Sequence, residues 1–290
     1  MSKELNIFMK QSSGWQCGEM SDENTPVCKG TESIIFAWAM GAPTFKMPPD
    51  ISHKVGQGTP TKYLVLQIHY KDSAAFQLDQ NKQDKSGIKL TTQRTPTEKL
   101  AGVYVLVSDG EVLPKQTTKL EMSCMYSGEA TIHPFAFRVH AHEHGVLNDG
   151  YVIANNEKYL IGSKSPQLPQ TFYPVENKSL EINPGDTITA RCKMINNENK
   201  PIKIGNTRYD EMCNFYIMYW VKSEDENQLY DPNNQLCFLE DDDIIEKELD
   251  FEKLLPSEPF LSDIHNNFGL GAYTPFDIGD DENVYFPETM

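Results

Sequence analysis

Short runs of β-branched, aromatic and aliphatic residues recur along this 290-residue chain, and no sustained helical period interrupts them before residue 240. The clearest runs are 33–40 (SIIFAWAM), 62–70 (KYLVLQIHY), 100–107 (LAGVYVLV), 134–142 (PFAFRVHAH), 185–194 (GDTITARCKM) and 214–221 (NFYIMYWV). Such residues fit a pleated, half-buried surface, so each run predicts a strand. Turn-formers stand between them, among them Ala42-Pro43, Pro48-Pro49, Ser108-Asp109-Gly110, Asn148-Asp149-Gly150 and Asn183-Pro184-Gly185-Asp186. Many short strands without an internal repeat imply an all-β chain built as β-sandwich or jelly-roll layers. The polar stretch 79–99 predicts a boundary between two such layers. This gives a partial first domain over 1–95 and a second over 96–239, with an acidic tail over 240–290. Within the tail, 241–255 suits a short acidic helix and the rest reads as disordered.

Charge narrows the function. The net charge is −16, yet residues 240–290 alone carry fifteen acidic residues against Lys247 and Lys253, leaving only −3 on the other 239 residues. The globular part has no basic stripe to neutralise phosphates, which argues against nucleic-acid binding. No apolar run approaches the length of a membrane span. The first fifteen residues contain no apolar core of the signal-peptide type. The six cysteines, Cys17, Cys28, Cys124, Cys192, Cys213 and Cys237, form no CxxC pair. Wide spacing in a β-rich chain points to disulfides rather than a zinc knuckle, and so to a secretory or extracellular setting. The triplet Asn177-Lys178-Ser179 has the N-glycosylation pattern and points the same way.

Four of the seven histidines fall within 133–144. Along a strand, residues two apart share a face. Arg138, His140, His142 and His144 then line one face, and Phe135, Phe137, Val139 and Ala141 the other. The second face suits a core; the first sets imidazoles side by side with a cation nearby. In the run containing 212–219, Met212, Asn214, Tyr216 and Met218 share one face, and Cys213, Phe215, Ile217 and Tyr219 the opposite one. A soft thioether beside two imidazoles selects copper, particularly Cu(I), over zinc. A His-His-Met set leaves a coordination position open, as catalytic metal sites do. A zinc hydrolase of the HxHxDH type would need Asp at position 144, where His144 stands.

These segments together resemble the peptidylglycine α-hydroxylating monooxygenase family. The resemblance is carried by FAFRVHAHEHG (135–145), SPQLPQTFYPVE (165–176), TARCKM (189–194), DEMCNFYIMYW (210–220) and KYLVLQIHY (62–70), in order and spacing. It spans about residues 15–237. The dopamine-hydroxylating branch shares the HxH and EMC elements, whereas LPQTFYPVE and CNFYIMYW look more like the peptide enzyme. The resemblance implies two β-sandwich domains, two coppers per complete enzyme, ascorbate as reductant and dioxygen as co-substrate. It implies that His140, His142 and Met212 hold the copper at which dioxygen reacts, and that His69 is one of three histidines of the electron-transferring copper. It implies that Arg138 pairs with the C-terminal carboxylate of a glycine-extended peptide, while Asn214 and Tyr216 hydrogen-bond that substrate. The implied reaction hydroxylates the glycine α-carbon. The product later breaks down to peptide amide and glyoxylate, either slowly and spontaneously or with a separate amidating lyase as partner. The cysteines by themselves leave three pairings open among Cys124, Cys192, Cys213 and Cys237; the resemblance implies Cys124 with Cys237 and Cys192 with Cys213.

The sequence departs from the family at its start. Sixteen residues precede Cys17 and none is His, so the adjacent histidine pair of the second copper and the partners of Cys17 and Cys28 have no counterpart. His53 matches no ligand position. The expectation is that Met1 is not the true start, with the missing strands and signal peptide upstream. The competing expectation is a one-copper or inactive module that retains peptide docking. Position 143 holds Glu where the peptide enzyme has His, on the face away from the ligands. His144 is expected to be an exposed strand-end residue, His133 a satisfied structural one, and His265 to lie unliganded in the tail.

Overall fold

The computed structural model describes residues 33–70, 74, 87–205, 207 and 209–238, together with the backbone of 3–7. Within these residues two compact units occur, one comprising 3–7, 66–70, 74 and 87–93, the other 33–65 and 94–238. In the first, strand β1 (Lys3–Ile7) pairs antiparallel with β3 (Ile88–Thr92), Lys3 opposite Thr92 and Ile7 opposite Ile88.

The second unit is a sandwich of two sheets. One runs β10 (Tyr173–Pro174), β7 (His133–His140), β13 (Asn214–Lys222), β4 (Lys99–Val107) and β14 (Leu236–Phe238), with the short β2 (Ile51–Ser52) also parallel to β4. The other runs β6 (Gln116–Met125), β11 (Thr187–Asn196), β8 (Gly145–Ala154) and β9 (Glu157–Lys164). A small ribbon joins β5 (Glu111–Val112) to β12 (Ile202–Lys203).

Period-2 alternation decides what each strand buries. Cys213, Phe215, Ile217, Tyr219 and Val221 of the β13 segment enter the core between the sheets with Met122, Val152, Ile188, Ala190, Cys192 and Met194. Tyr216 and Met218 join a second cluster on the other side of the same sheet, with Trp220 packed against it. The division expected for this strand therefore holds residue by residue. Strand β7 obeys it with one exception. Met218 faces Ala136 and Tyr219 faces Pro134, so Phe135 is the extra residue of a β-bulge. The bulge moves Phe135 to the second cluster, whereas Phe137, Val139 and Ala141 stay in the inter-sheet core.

Two disulfides bind one sheet to the other. Cys124 of β6 joins Cys237 of β14, and Cys192 of β11 joins Cys213 at the entry to β13. Both pairings are those implied by the resemblance.

Beneath the strands that will matter most, two glycines make room for rings. Gly150 and Gly162 face each other across β8 and β9. Above them Phe137 and Phe215 stack with centroids 5.7 Å apart and planes 7° apart. A Cβ at Gly150 would lie 2.3 Å from Phe215, and one at Gly162 would lie 2.2 Å from Phe137. Gly150→Ala is therefore expected to destabilise the unit by about 1–3 kcal/mol through overpacking. A thermal-melt series should show a lowered midpoint; an unchanged midpoint would mean the ring pair yields freely.

Some expectations fail. Residues 33–38 and 62–70 carry no ladder; in the former region only Ala39 is bridged, to Gln170. The exposure of 64–69 still alternates, Leu64, Leu66 and Ile68 half-buried against exposed Val65, Gln67 and His69. Alternation specifies faces, but a ladder also needs a neighbouring backbone. The run 134–142 stops as a strand at His140. The 3₁₀ segments Ser223–Tyr230 and Pro232–Asn234 are additional to the expected strands. The tail, its suggested helix 241–255, His265, Cys17 and Cys28 lie outside the described residues.

Candidate metal centre

The site grows from the pairing of β7 with β13. Asn214 stands opposite His140, and Tyr216 opposite Arg138, in one antiparallel register. Because alternate residues share a face, this register alone gathers four of the expected site residues on one side of the sheet. His142 and Met212 come from the segments just beyond the strand ends, so they approach from outside the ladder.

The donors converge. His140 Nε2 lies 3.2 Å from Met212 Sδ. The rings of His140 and His142 are 5.3 Å apart between centroids and nearly perpendicular. Each ring is held through its other nitrogen. His140 Nδ1 is 2.6 Å from Gln170 Oε1, and His142 Nδ1 is 2.8 Å from the Asp210 carbonyl. Amide oxygens only accept, so both Nδ1 atoms carry the proton and both Nε2 lone pairs are free. Burial, then the nearby Arg138 charge, pushes the His140 imidazolium down to about 3, keeping the ring neutral and able to ligate. Among the described residues no group of three or more His, Cys, Asp or Glu gathers as a metal site. Beside the two imidazoles the Met212 thioether could serve as a further soft donor, and a neutral N,N,S set of this kind fits copper.

Two residues absent from the sequence expectations hold this arrangement. Gln170, 2% exposed, sends its Nε2 to the carbonyls of Ala141 and Pro166, which fixes the orientation of its amide. Its Oε1 then accepts from His140 Nδ1 and from Arg138 Nη2, while its backbone oxygen accepts from Arg138 Nε at 3.1 Å. Its backbone also exchanges two hydrogen bonds with Ala39, at 3.2 and 3.0 Å. Glu211 is fully buried, and its carboxylate accepts from the backbone N–H groups of Met212, His142 and His144. One carboxylate thus ties both ligand-bearing segments together. Nothing in the spacing of QLPQ singles out Gln170, and adjacency to Met212 was the sole sign for Glu211.

His144 differs from expectation. Its Nδ1 lies 3.2 Å from Glu211 and its Nε2 3.7 Å from Glu198, with a side chain 21% exposed. Both nitrogens are engaged away from the donor set, so it braces the loop instead of standing exposed at a strand end. His133 is a structural residue, stacked on Trp220 at 3.8 Å and 3.6 Å from Glu181. His69 belongs to the other compact unit, where it is exposed.

Arg138 is 3% exposed, and no carboxylate pairs with it among the described residues. Its guanidinium lies over the Tyr216 ring at 4.8 Å, and its Nη1 has no hydrogen-bond partner. Burial holds its pKa below the usual arginine value. A buried cation with an orphaned donor is costly unless an anion completes it. Asn214 Nδ2 reaches the Tyr216 hydroxyl at 3.4 Å, and the two residues stand opposite His140 and Arg138 in the ladder.

Replacing Gln170 tests this bracing. Gln170→Ala should lower copper affinity by about 10- to 100-fold, as loss of an outer-shell partner does. Gln170→Glu keeps an acceptor for His140 but supplies Arg138 with a counter-charge, so it should retain copper while raising the KM for a carboxylate-bearing peptide. Isothermal titration and peptide kinetics separate the two outcomes. Unchanged copper affinity in Gln170→Ala would show that Gln170 does not support the ligand.

The chain is also similar in sequence to known proteins. Residues 99–244 match the family model described as copper type II ascorbate-dependent monooxygenase, C-terminal domain, and residues 5–77 match the N-terminal domain of the same family. The chain is 39% identical over 222 residues to peptidyl-glycine alpha-amidating monooxygenase of Mus musculus, covering 76% of this chain and 22% of that protein. It is 40% identical over 221 residues to peptidyl-glycine alpha-amidating monooxygenase B of Xenopus laevis, covering 74% of this chain and 24% of that protein. Dopamine beta-hydroxylase of Equus caballus is more distant, 22% identical over 206 residues, covering 66% of this chain and 33% of that protein. The chain thus spans about a quarter of the length of the amidating relatives it matches. With both domain models matched, the chain belongs to the copper type II ascorbate-dependent monooxygenase family.

Proposed function

We propose that this chain hydroxylates the α-carbon of a C-terminal glycine in peptides, with His140 Nε2, His142 Nε2 and Met212 Sδ as ligands of the copper at which dioxygen reacts. The observation that carries the ligand reading is the locking of both Nδ1 atoms onto carbonyl oxygens, with Met212 Sδ 3.2 Å from a free Nε2. Copper held there supplies one-electron chemistry and activation of dioxygen, with ascorbate as electron donor. The protein's own part is positioning. Arg138 would pair with the peptide carboxylate through its unpartnered Nη1, since a planar guanidinium suits a carboxylate. Tyr216 and Asn214 would orient that carboxylate, fixing the glycine α-carbon near the centre. Positioning of this kind removes entropy from the barrier. The buried face around Arg138 keeps competing water from its guanidinium.

The identity to amidating monooxygenases supports the peptide substrate over a catecholamine. The two domain matches support a division into a first domain over 1–95 and a second over 96–239, followed by the tail. The two disulfides support a secretory or extracellular setting. No helix among the described residues is long and apolar enough to cross a membrane. A lyase would complete the amidation.

A one-copper module is the second reading. By resemblance His69 matches one ligand position of the other copper, so occupancy of that second site is the point on which the two readings differ. One experiment decides between them. The copper-loaded chain is incubated with a glycine-extended peptide and ascorbate, and the metal content is measured. Two coppers and an α-hydroxyglycine product support the enzyme. One copper, peptide binding and no product support the module.

A further inference from the structure

The one Asn-X-Ser/Thr triplet in the chain, Asn177-Lys178-Ser179, sits on a built turn that neither the metal centre nor the peptide contacts use. It follows β10, among the described residues the outermost strand of its sheet, paired there with β7 through Tyr173 and Pro174. The chain is anchored on both sides, by Val175 at 0% and Leu180 at 4% exposure, while Glu176, Asn177, Lys178 and Ser179 between them are exposed. The Leu180 N–H donates to the Asn177 carbonyl at 3.2 Å, closing a β-turn, and Lys178 Nζ donates to the Val175 carbonyl at 2.7 Å. The Ser179 N–H donates to Asn177 Oδ1 at 3.1 Å. That Asx-turn uses the amide oxygen and leaves Nδ2 without a hydrogen bond among the described residues, facing outward. The carboxamide nitrogen is the atom on which N-glycosylation acts.

We propose that Asn177 carries an N-linked oligosaccharide. In the transfer, Asn177 Nδ2 displaces a diphosphate from the anomeric carbon of a polyisoprenyl-diphosphate-linked oligosaccharide. An N–C bond forms, the C–O bond to the diphosphate breaks, Nδ2 loses one proton, and polyisoprenyl diphosphate leaves. No electron is gained or lost. The folded turn accommodates the product, because a sugar on an outward Nδ2 displaces no core residue and breaks none of the three hydrogen bonds. It would also cover the β10 edge, whose outer backbone is the natural place for unwanted strand addition. The proposal rests on the secretory setting but not on the hydroxylase reading.

The chain is expressed behind a secretion leader in a eukaryotic host and recovered from the medium with both disulfides formed. Peptide-N-glycosidase treatment in ¹⁸O-labelled water should sharpen the band, lower its mass and leave labelled aspartate at position 177. Asn177→Gln and Ser179→Ala should both abolish the shift, whereas Ser179→Thr should keep it. An unmodified Asn177 peptide in such disulfide-bonded secreted protein overturns the proposal. A modification at Asn177 that survives Ser179→Ala overturns it as well.

Discussion

Met212→Ile is expected to lower copper- and ascorbate-dependent turnover by on the order of 100-fold or more, at or beyond the top of the range for losing a mere outer-shell partner. The fold should persist. Met212 belongs to neither core cluster. Its neighbour Cys213 is held by the disulfide to Cys192, and its backbone N–H donates to Glu211 at 2.8 Å regardless of side chain. Isoleucine matches the thioether's apolar bulk but offers no lone pair to a soft metal. The check is turnover alongside thermal midpoint and intact disulfides. Full turnover in a folded Met212→Ile protein removes the thioether from the ligand set.

Arg138→Ala is expected to weaken binding of a glycine-extended peptide by about 10- to 150-fold, the equivalent of losing a charge-assisted hydrogen bond worth roughly 1.5–3 kcal/mol. The effect should fall on KM and leave the copper bound, because Arg138 is no member of the proposed ligand set and meets His140 through the shared acceptor Gln170. Wild-type protein should also discriminate strongly between a free carboxylate and the same peptide already amidated, and Arg138→Ala should erase that difference. Equal wild-type affinities for the two peptides would sink the docking role. Removal of an unpaired buried cation deletes packing over Tyr216 and relieves desolvation at once, so stability is a poor readout here.

How much of this was legible in the chain follows from what a one-dimensional pattern encodes. Period 2 assigned Cys213, Phe215, Ile217 and Tyr219 to the core and Asn214 and Tyr216 to the opposite face, as found. It could not show the bulge at Phe135, which depends on the register against Met218 and Tyr219. Nor could it show that β7 stops at His140, so that His142 is aimed by the Asp210 carbonyl instead of by the pleat. Residues 33–40 have strand composition but find a partner at Ala39 alone among the described residues, because pairing is non-local. Ser223–Tyr230 is polar throughout most of its length and buries Gln228 and Leu229, so no apolar period announced it. Gln170 and Glu211 escaped because their roles come from chain segments more than twenty residues away meeting in space. The disulfide pairing came from likeness to a family, not from spacing, and the observed bonds agree with it.

The central claim is a His-His-Met copper centre, and X-ray absorption at the copper edge of the Cu(I)-loaded chain tests it most directly. The account predicts a sulfur scatterer together with imidazole nitrogens in the wild type, with the sulfur contribution lost in Met212→Ile. Copper bound by nitrogen and oxygen alone, or a sulfur signal that survives the Met212→Ile substitution, would contradict it.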